Sequence, residues 1–582
     1  MGPGTKHYRY YRNRAIAYWH HYPARVVILA VGLVALFGFL YTSSSSQIQQ
    51  NIIPSNYTSF LNPFLSGKQD KGGKAGNRNP QEELQDRKAA KTNLYRQIFK
   101  IMEQNRPPVK LDNFEFDQAA HDTQDPFTSI TLGKIGKFPH DFVSGVKSAH
   151  ASFLKQMPEY DDVLRFNGNG VIILGGGDYS WLALLCTRMF RRMGGSLPVE
   201  VMLPRKADYL KDREICDIYL PQLNAKCVVM TEQLGITQQD EEELFFADFG
   251  VNYHMYRSLA LLTSNYQNVL LLESETLLIK SLDESIFASE PFNTYGMVLW
   301  PDFWKRKTSP FWYLATDCSV DKTLVRDGIL DLPESKQVSS SKADIQYPLH
   351  DRRGAIPDMS NDSGEMMINK KTHWKTLLLA LYYNLYGDGY YYPLLTQSNS
   401  AGEKETFAAA ATALKTPYYQ TRTPTEANGF WYNDDFRGVG MLQFDPTVDF
   451  YSLNSFKEKY ETNPDKLTEE ELAKYLSDSP ERKSALFFKV NYPRLLPIEL
   501  IKDSFIVKEN GDRIRMFGDN ERFRSDLEVT LWRIMVDYIC YSELHCSYLD
   551  KHFPPDRKYK ETVAKYCTDS LKPHLLWLAG NH

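Results

Sequence analysis

The sequence predicts an α/β fold built on a parallel sheet, and three observations carry that prediction. Short apolar runs recur through the middle of the chain, at Gly170 to Leu174 (GVIIL), Pro198 to Leu203 (PVEVML), Ala225 to Thr231 (AKCVVMT) and Asn268 to Leu272 (NVLLL). Segments of helical composition separate them, at Asp178 to Met193, Ala207 to Tyr219 and Met255 to Thr263. Glycine clusters punctuate the joints, Gly175-Gly176-Gly177 before the first helix and Gly194-Gly195 after it. Parallel strands need long crossover connections, which helices supply, so the alternation reads as a nucleotide-binding α/β domain.

The 582 residues are more than one compact core usually takes, and 42% hydrophobic content excludes a wholly disordered chain. With 68 basic and 72 acidic residues the net charge is −4, which argues against a nucleic-acid partner. The many aromatic residues, 36 Tyr and 32 Phe, fit core packing first and flat stacking surfaces second.

At the N-terminus, Val26 to Tyr41 is uncharged and almost wholly apolar. As a helix it spans about 24 Å against a bilayer core of about 30 Å, so flanking residues or a thin membrane must complete the crossing. Lys6, Arg9, Arg12, Arg14 and Arg25 precede it, and the first acidic residue is Asp70. Positive-inside logic leaves residues 1–25 cytosolic and sends the rest into a lumen. The long basic lead and the lack of an Ala-x-Ala site favour an uncleaved signal anchor over a cleaved signal peptide. Residues 42–91 are rich in Ser, Gln, Asn, Gly and charge, the composition of a flexible stem, and Asn56-Tyr57-Thr58 within it is a glycosylation sequon. Residues 92–582 are then one lumenal domain. A lumen permits disulfides, the seven cysteines leave at least one unpaired, and Cys540, Cys546 and Cys567 are placed to staple the C-terminal end.

Two places in the α/β region carry chemistry. The first strand runs into Gly175-Gly176-Gly177, with Asp178 opening the next helix. A glycine turn there either serves as a tight joint or lets backbone approach a nucleotide phosphate or ribose. It lacks both the G-x-G-x-x-G spacing and the Walker lysine, which excludes dinucleotide and P-loop readings. The second place is Leu270-Leu271-Leu272-Glu273-Ser274-Glu275, where two carboxylates two residues apart follow a strand. They are either a solvated strand end or a hard-oxygen pair for a divalent cation that neutralises a diphosphate. Paired carboxylates also serve glycoside hydrolases, but their position after a strand and the anchor-stem layout weigh against that class.

Longer blocks make a resemblance specific. VNYHMYRSLALLTSNYQNVLLLESETLLIKSLDE, EPFNTYGMVLWPDFWKRKTSP, DSGEMMINKKTHWKTLLLALYYNLYGDGYYYPLL and GEKETFAAAATALKTPYYQ together resemble the fungal Golgi α-1,2-mannosyltransferases that branch outer-chain mannan. The similarity runs from Phe166 to the Lys489–Pro493 segment. It implies a nucleotide-binding glycosyltransferase fold of the A type, GDP-mannose as donor, a mannose-containing glycan as acceptor and Mn²⁺ as metal. It also implies retention of configuration and a type II protein of the Golgi membrane.

Carried over by position, Glu273 and Glu275 fall on the family's Asp-x-Asp metal motif. Asp302 falls in its Trp-Pro-Asp block, Asp362 and Glu365 in Asp-Ser-Gly-Glu where Glu-Ser-Gly-Gln is expected, and Lys489 where a histidine is expected. Gly402–Phe407 matches Gly-Asp-Lys-Glu-Thr-Phe. The resemblance thus assigns the metal to Glu273 and Glu275, and the nucleotide to Gly175, Gly176, Gly177, Asp178, Lys404 and Lys489. Asp302, Asp362, Glu365 and Glu405 are assigned to catalysis and hydroxyl orientation. Two departures bear on chemistry. Glutamate is one methylene longer than aspartate, and a protonated lysine has no lone pair for a metal, though it can set a fixed positive charge against a diphosphate. Two readings follow, an active transferase and a paralogue that keeps the fold and sugar binding, acting in a complex with related transferases.

Other segments have plainer readings. Tyr382, Tyr383, Tyr386, Tyr390, Tyr391 and Tyr392 form a packing face or a sugar platform. Thr468 to Glu471 is a capping box on a solvated helix. Asp321 to Pro357 is a long loop, either lid or surface insertion. Asn361-Asp362-Ser363 is a sequon that is expected to stay unmodified, because a glycan would obstruct the cleft.

Overall fold

The computed structural model describes residues 80–580, except 124–125, 238–251, 329, 464–465, 469, 472–473, 476–483, 519–522 and 524–525. The expected cytosolic tail, the anchor at 26–41, most of the stem and the Asn56 sequon lie outside the described residues. Among the described residues no helix is long and apolar enough to cross a membrane. The first helix, α1 (Pro80–Gln104), begins inside the segment expected to be stem. Leu94, Tyr95, Ile98, Phe99 and Met102 in its second half are buried, a one-face helical pattern that docks it on the domain and carries the polar first turns along.

A seven-stranded sheet lies at the centre. In chain order its strands are β1 (Asn169–Leu174), β2 (Val199–Leu203), β3 (Ala225–Val229), β4 (Asn268–Leu272), β6 (Met297–Pro301), β7 (Asn361–Asn369) and β8 (Tyr419–Gln420); β5 (Thr276–Leu278) belongs elsewhere. Their spatial order is β8-β6-β7-β4-β1-β2-β3. β3, β2, β1 and β4 run parallel, as do β6 and β8, and β7 is antiparallel to both β4 and β6. The four strands and crossover helices read from the sequence are therefore present, in a mixed rather than purely parallel sheet.

Both faces of the sheet are covered, so β1 and β4 read as continuous apolar runs rather than alternating ones. On one face Val171, Ile173, Val201, Leu270 and Leu272 meet α3 (Asp178–Arg192) through Trp181, Leu185 and Phe190. On the other face Ile172, Leu174, Met202, Val269 and Leu271 pack with α1, α2 (His140–Gln156), α4 (Tyr256–Thr263), α5 (Trp374–Leu385) and α6 (Thr406–Ala413). Each large side chain buried this way contributes about 1.5–3 kcal/mol, so the sheet edge that holds the site is rigidly backed. All six tyrosines of 382–392 are buried, five of them in that second core and Tyr392 against His254 and Asn384, which decides for packing against a sugar platform.

A second sheet of four strands has the order β9-β10-β11-β5, with β9 (Glu426–Tyr432), β10 (Asp435–Phe444) and β11 (Ala485–Val490). The Glu273–Glu275 turn is the junction by which the chain leaves the large sheet and enters this one. α7 (Pro446–Glu461) joins β10 to β11. A helical C-terminal unit, from α8 (Leu527–Val536) to α9 (Lys572–Gly580), closes over α3. Cys540–Cys567 staples that unit as expected, Cys216 pairs with Cys227, and Cys186, Cys318 and Cys546 are free. Asp321 to Pro357 is not a structureless loop: it carries short strands at 323–324 and 338–339 and at 326–327 and 330–331, pinned by Arg326 onto the carbonyls of His350, Arg352 and Ala355.

Candidate active site

The strand order places a crevice between β1 and β4. From β1 the chain winds outward through β2 and β3, then returns to the other side of β1 as β4, so the direction of winding reverses there. Ligands of open α/β sheets bind outside the carboxyl ends of strands at such a switch point. β1 ends in Gly175-Gly176-Gly177 and β4 ends in Glu273-Ser274-Glu275, which brings the two sequence-predicted places side by side.

The glycines of the turn have different duties. A Cβ on Gly175 would meet Leu203 and Val201 at 2.9 Å, so this glycine serves packing. Gly176, at φ 106°, lies against Pro204 and Asp208, whereas Gly177, at φ 59°, has open space where a Cβ would lie, so a ligand can approach its backbone closely. Asp178 does not face the crevice alone, because its carboxylate pairs with Lys551 at 3.1 Å. The next residue, Tyr179, lies under the Arg494 guanidinium at 4.8 Å, and Arg494 Nε stands 3.2 Å from Glu275 Oε1. This chain of contacts links the glycine turn to the acidic pair.

Glu273 is held on three sides. Its backbone N–H donates to the Gly364 carbonyl at 2.7 Å, tying the end of β4 to β7. Its carboxylate receives Arg257 Nη2 from α4 and Lys489 Nζ from β11, the latter at 3.0 Å. Lys489 also donates to Asp362 Oδ1 at 2.8 Å and Ser363 Oγ at 3.0 Å. The register of the second sheet puts Lys489 opposite Thr276, so the lysine reaches back over the turn. Gly364 leaves the space, since a Cβ there would meet Lys489 Cδ at 2.6 Å.

Charge follows from these contacts. Burial opposes ionisation of Glu273, yet Lys489 and Arg257 outweigh it and bring its pKa down to about 2. Burial also opposes the Lys489 ammonium, but Asp362 and Glu273 raise its pKa above the usual lysine value. Glu275 goes the other way: burial, only partly offset by Arg494, pushes it up to about 7. Glu365 is 1% exposed, neither of its carboxyl oxygens has a hydrogen-bond partner, and burial beside Asp362 raises its pKa well above the ordinary value. The centre thus combines four acidic side chains, Glu273, Glu275, Asp362 and Glu365, with three cations, Arg257, Lys489 and Arg494.

A second group stands at the end of β6. Asp302 Oδ2 accepts from Lys404, and its N–H donates to the Ser360 carbonyl at 2.7 Å. Glu403 faces His254 at 3.5 Å. Glu405 is set apart, because its carboxylate is buried and committed to Arg306 and the Ser360 hydroxyl, leaving no oxygen for a sugar. Arg306 is fully buried and donates further to the carbonyls of Pro357 and Met359 and to Asn361 Oδ1. Asn361 itself is 1% exposed, in keeping with an unmodified sequon.

Arg257, Arg494 and Arg306 escaped sequence reasoning. Arg257 lies within the VNYHMYRSLALL block, and Arg494 directly follows Pro493, but basic residues near a motif carry no spacing signal of their own.

The expected Mn²⁺ can be tested against this geometry. A divalent ion and a unit charge 4 Å apart interact by about 8 kcal/mol at an effective dielectric of 20. Lys489, Arg257 and Arg494 would repel the ion by about what Glu273, Glu275 and Asp362 return at equal distance, so the electrostatic gain cancels. No group of three His, Cys, Asp or Glu side chains that could hold a metal exists among the described residues. The residues present do not fit the ion.

Comparison with known proteins places this site in a lineage. The Mannosyl_trans3 family of mannosyltransferases matches residues 168–445, which contain the crevice except for Lys489 and Arg494. The α-1,2-mannosyltransferase MNN21 of Candida albicans is 34% identical over 469 residues, covering 77% of this chain and 70% of its own length. The α-1,2-mannosyltransferase MNN2 of Saccharomyces cerevisiae is 32% identical, covering 76% of each chain. Among solved structures, the WbbM bifunctional glycosyltransferase aligns over 48% of this chain and 46% of its own at 9% identity, with a TM-score of 0.25. On the two close relatives, and on the blocks that carry Glu273, Asp302, Asp362 and Lys404, the chain belongs to the fungal α-1,2-mannosyltransferase family.

Proposed function

We propose that this protein transfers mannose in α-1,2 linkage from GDP-mannose to a mannose of a glycan, with retention of configuration, on a nucleotide-binding glycosyltransferase fold of the A type. The observation that supports it most is the charged centre at the carboxyl ends of β1 and β4. Arg257, Lys489 and Arg494 offset charge on a diphosphate leaving group, and the buried setting makes that stabilisation larger than water would allow. The acceptor hydroxyl oxygen bonds to the anomeric carbon as the bond from that carbon to the diphosphate oxygen breaks. The electron pair leaves with the diphosphate, and the hydroxyl proton passes to it on the same face.

Gly177 admits the nucleotide, and Lys404 faces phosphate. Asp302 and Glu365 orient sugar hydroxyls, a role that the unpartnered oxygens of Glu365 support. Asp362 holds Lys489. Residues 26–41 anchor the protein in the Golgi membrane as a single-pass type II protein, where it assembles with related transferases.

The test incubates the purified full chain with GDP-mannose and an α-1,6-mannose oligosaccharide, and assigns the product linkage by NMR. An α-1,2-mannosyl product is expected. Donor binding with no transfer would instead favour a paralogue that binds sugar without catalysis.

A further inference from the structure

The Lys489 side chain is coordinated as a bound ion would be. Its ammonium donates to Asp362 Oδ1 at 2.8 Å and Ser363 Oγ at 3.0 Å and forms an ion pair with Glu273 Oε2 at 3.0 Å. These are hard oxygens of the kind a divalent cation takes, drawn from the β4 turn and from β7. Two glycines make room for this residue, one beside its side chain and one beside its backbone. Gly364 vacates the space beside Lys489 Cδ, and a Cβ on Gly440 of the neighbouring strand would lie 2.1 Å from the Lys489 carbonyl. Arg257 is 6% exposed, spends one nitrogen on Glu273 and keeps its Nε without a partner.

We infer that Lys489 is the resident cation of the site, filling the place of a divalent metal, so that transfer proceeds without one. The inference rests on the transferase reading above and adds the source of positive charge. As the bond from the anomeric carbon to the diphosphate oxygen breaks, the electron pair collects on the diphosphate. The fixed ammonium and the Arg257 guanidinium offset it through space. Enclosed by these oxygens, Lys489 acts by charge, and Arg257 Nε is the donor free to meet a phosphate oxygen.

The test uses the wild-type full chain after chelation with EDTA. Mannosyl transfer from GDP-mannose is measured without and with added Mn²⁺, and Mn²⁺ binding is followed separately by EPR. The expected rates agree within about twofold, and the EPR signal remains that of free Mn²⁺. Loss of turnover on chelation with recovery on Mn²⁺, or saturable Mn²⁺ binding that Glu273→Ala removes, overturns the inference.

A gain-of-ligand variant gives a second arm. Lys489→His combined with Glu273→Asp and Glu275→Asp removes the ammonium and supplies a lone pair, so it should acquire Mn²⁺ binding that the wild type lacks. Should no condition yield transfer, the transferase reading fails on its own. The EPR titration, with GDP binding measured in EDTA, then still decides whether the site takes a metal.

Discussion

Arg306 offers the sharpest test of how the site is held. Its side chain is fully buried and its donors reach Glu405, the carbonyls of Pro357 and Met359, and Asn361 Oδ1, while its own N–H reaches Asp358 at 2.7 Å. It therefore joins the segment after β6, the approach to β7 and the turn before α6. Arg306→Met keeps much of the side-chain volume and removes the charge. The buried Glu405 carboxylate is then left with the Ser360 hydroxyl alone, and the Pro357 carbonyl loses its donor while the Met359 carbonyl keeps Gln420. Removing one partner of a buried pair costs about 3–5 kcal/mol, or roughly a 10²- to 10⁴-fold rise in the unfolding constant.

Replacing both partners removes the uncompensated charge, so Arg306→Met with Glu405→Leu should recover a large part of that loss. Urea unfolding followed by tryptophan fluorescence, run on the wild type, both single variants and the double, yields the coupling energy directly. A single-variant cost below about 1 kcal/mol, the range of exposed ion pairs, or strictly additive costs, would refute the reasoning.

Three further outcomes are expected. Gly364→Ala puts a methyl 2.6 Å from Lys489 Cδ and displaces the ammonium, so kcat/KM should fall about tenfold or more while the urea midpoint moves little; unchanged kinetics would mean Lys489 is not held there for transfer. His574, buried against Trp532 with both ring nitrogens unpartnered, has its pKa lowered from 6.5 to about 3 by burial and by Arg513 and Arg515. Its stabilising contribution is complete above pH 6.5 and is lost as pH falls toward 3, about 2 kcal/mol by pH 5, so urea titrations should show that slope in the wild type and not in His574→Phe. Cys540–Cys567 closes a separation of 27 residues, and Cys567→Ala should cost about 3.5 kcal/mol by loop entropy and expose the C-terminal helices to limited proteolysis; equal protease resistance would contradict the staple.

Much of the frame was legible in the residues. Strands buried on both faces are written as apolar runs, and β1, β2, β3 and β4 are each found within a residue or two of their sequence bounds. Helix α3 likewise begins at Asp178, where the glycine turn must end. β7 is less legible, because its first half carries Asp362 and Glu365 in place of an apolar run. A strand antiparallel to its neighbours needs no crossover signal, and its polar head breaks the apolar run.

The identities of the charged residues were therefore determined by the sequence, and for Glu273, Glu275 and the glycine turn so was their attachment to strand ends, since the apolar runs before them set it. What they do to one another was decided by tertiary structure. Glu273 and Lys489 are 216 positions apart, and no spacing rule reaches that far. Only the passage of the chain through the Glu273–Glu275 turn into the second sheet brings β11 over β4. That contact turns an acidic pair into half of a salt-bridged cluster. It also separates Glu405, bound to Arg306, from the carboxyls that stay in the crevice. Coulomb interactions depend on distance in space, and it is the sheet order that sets those distances.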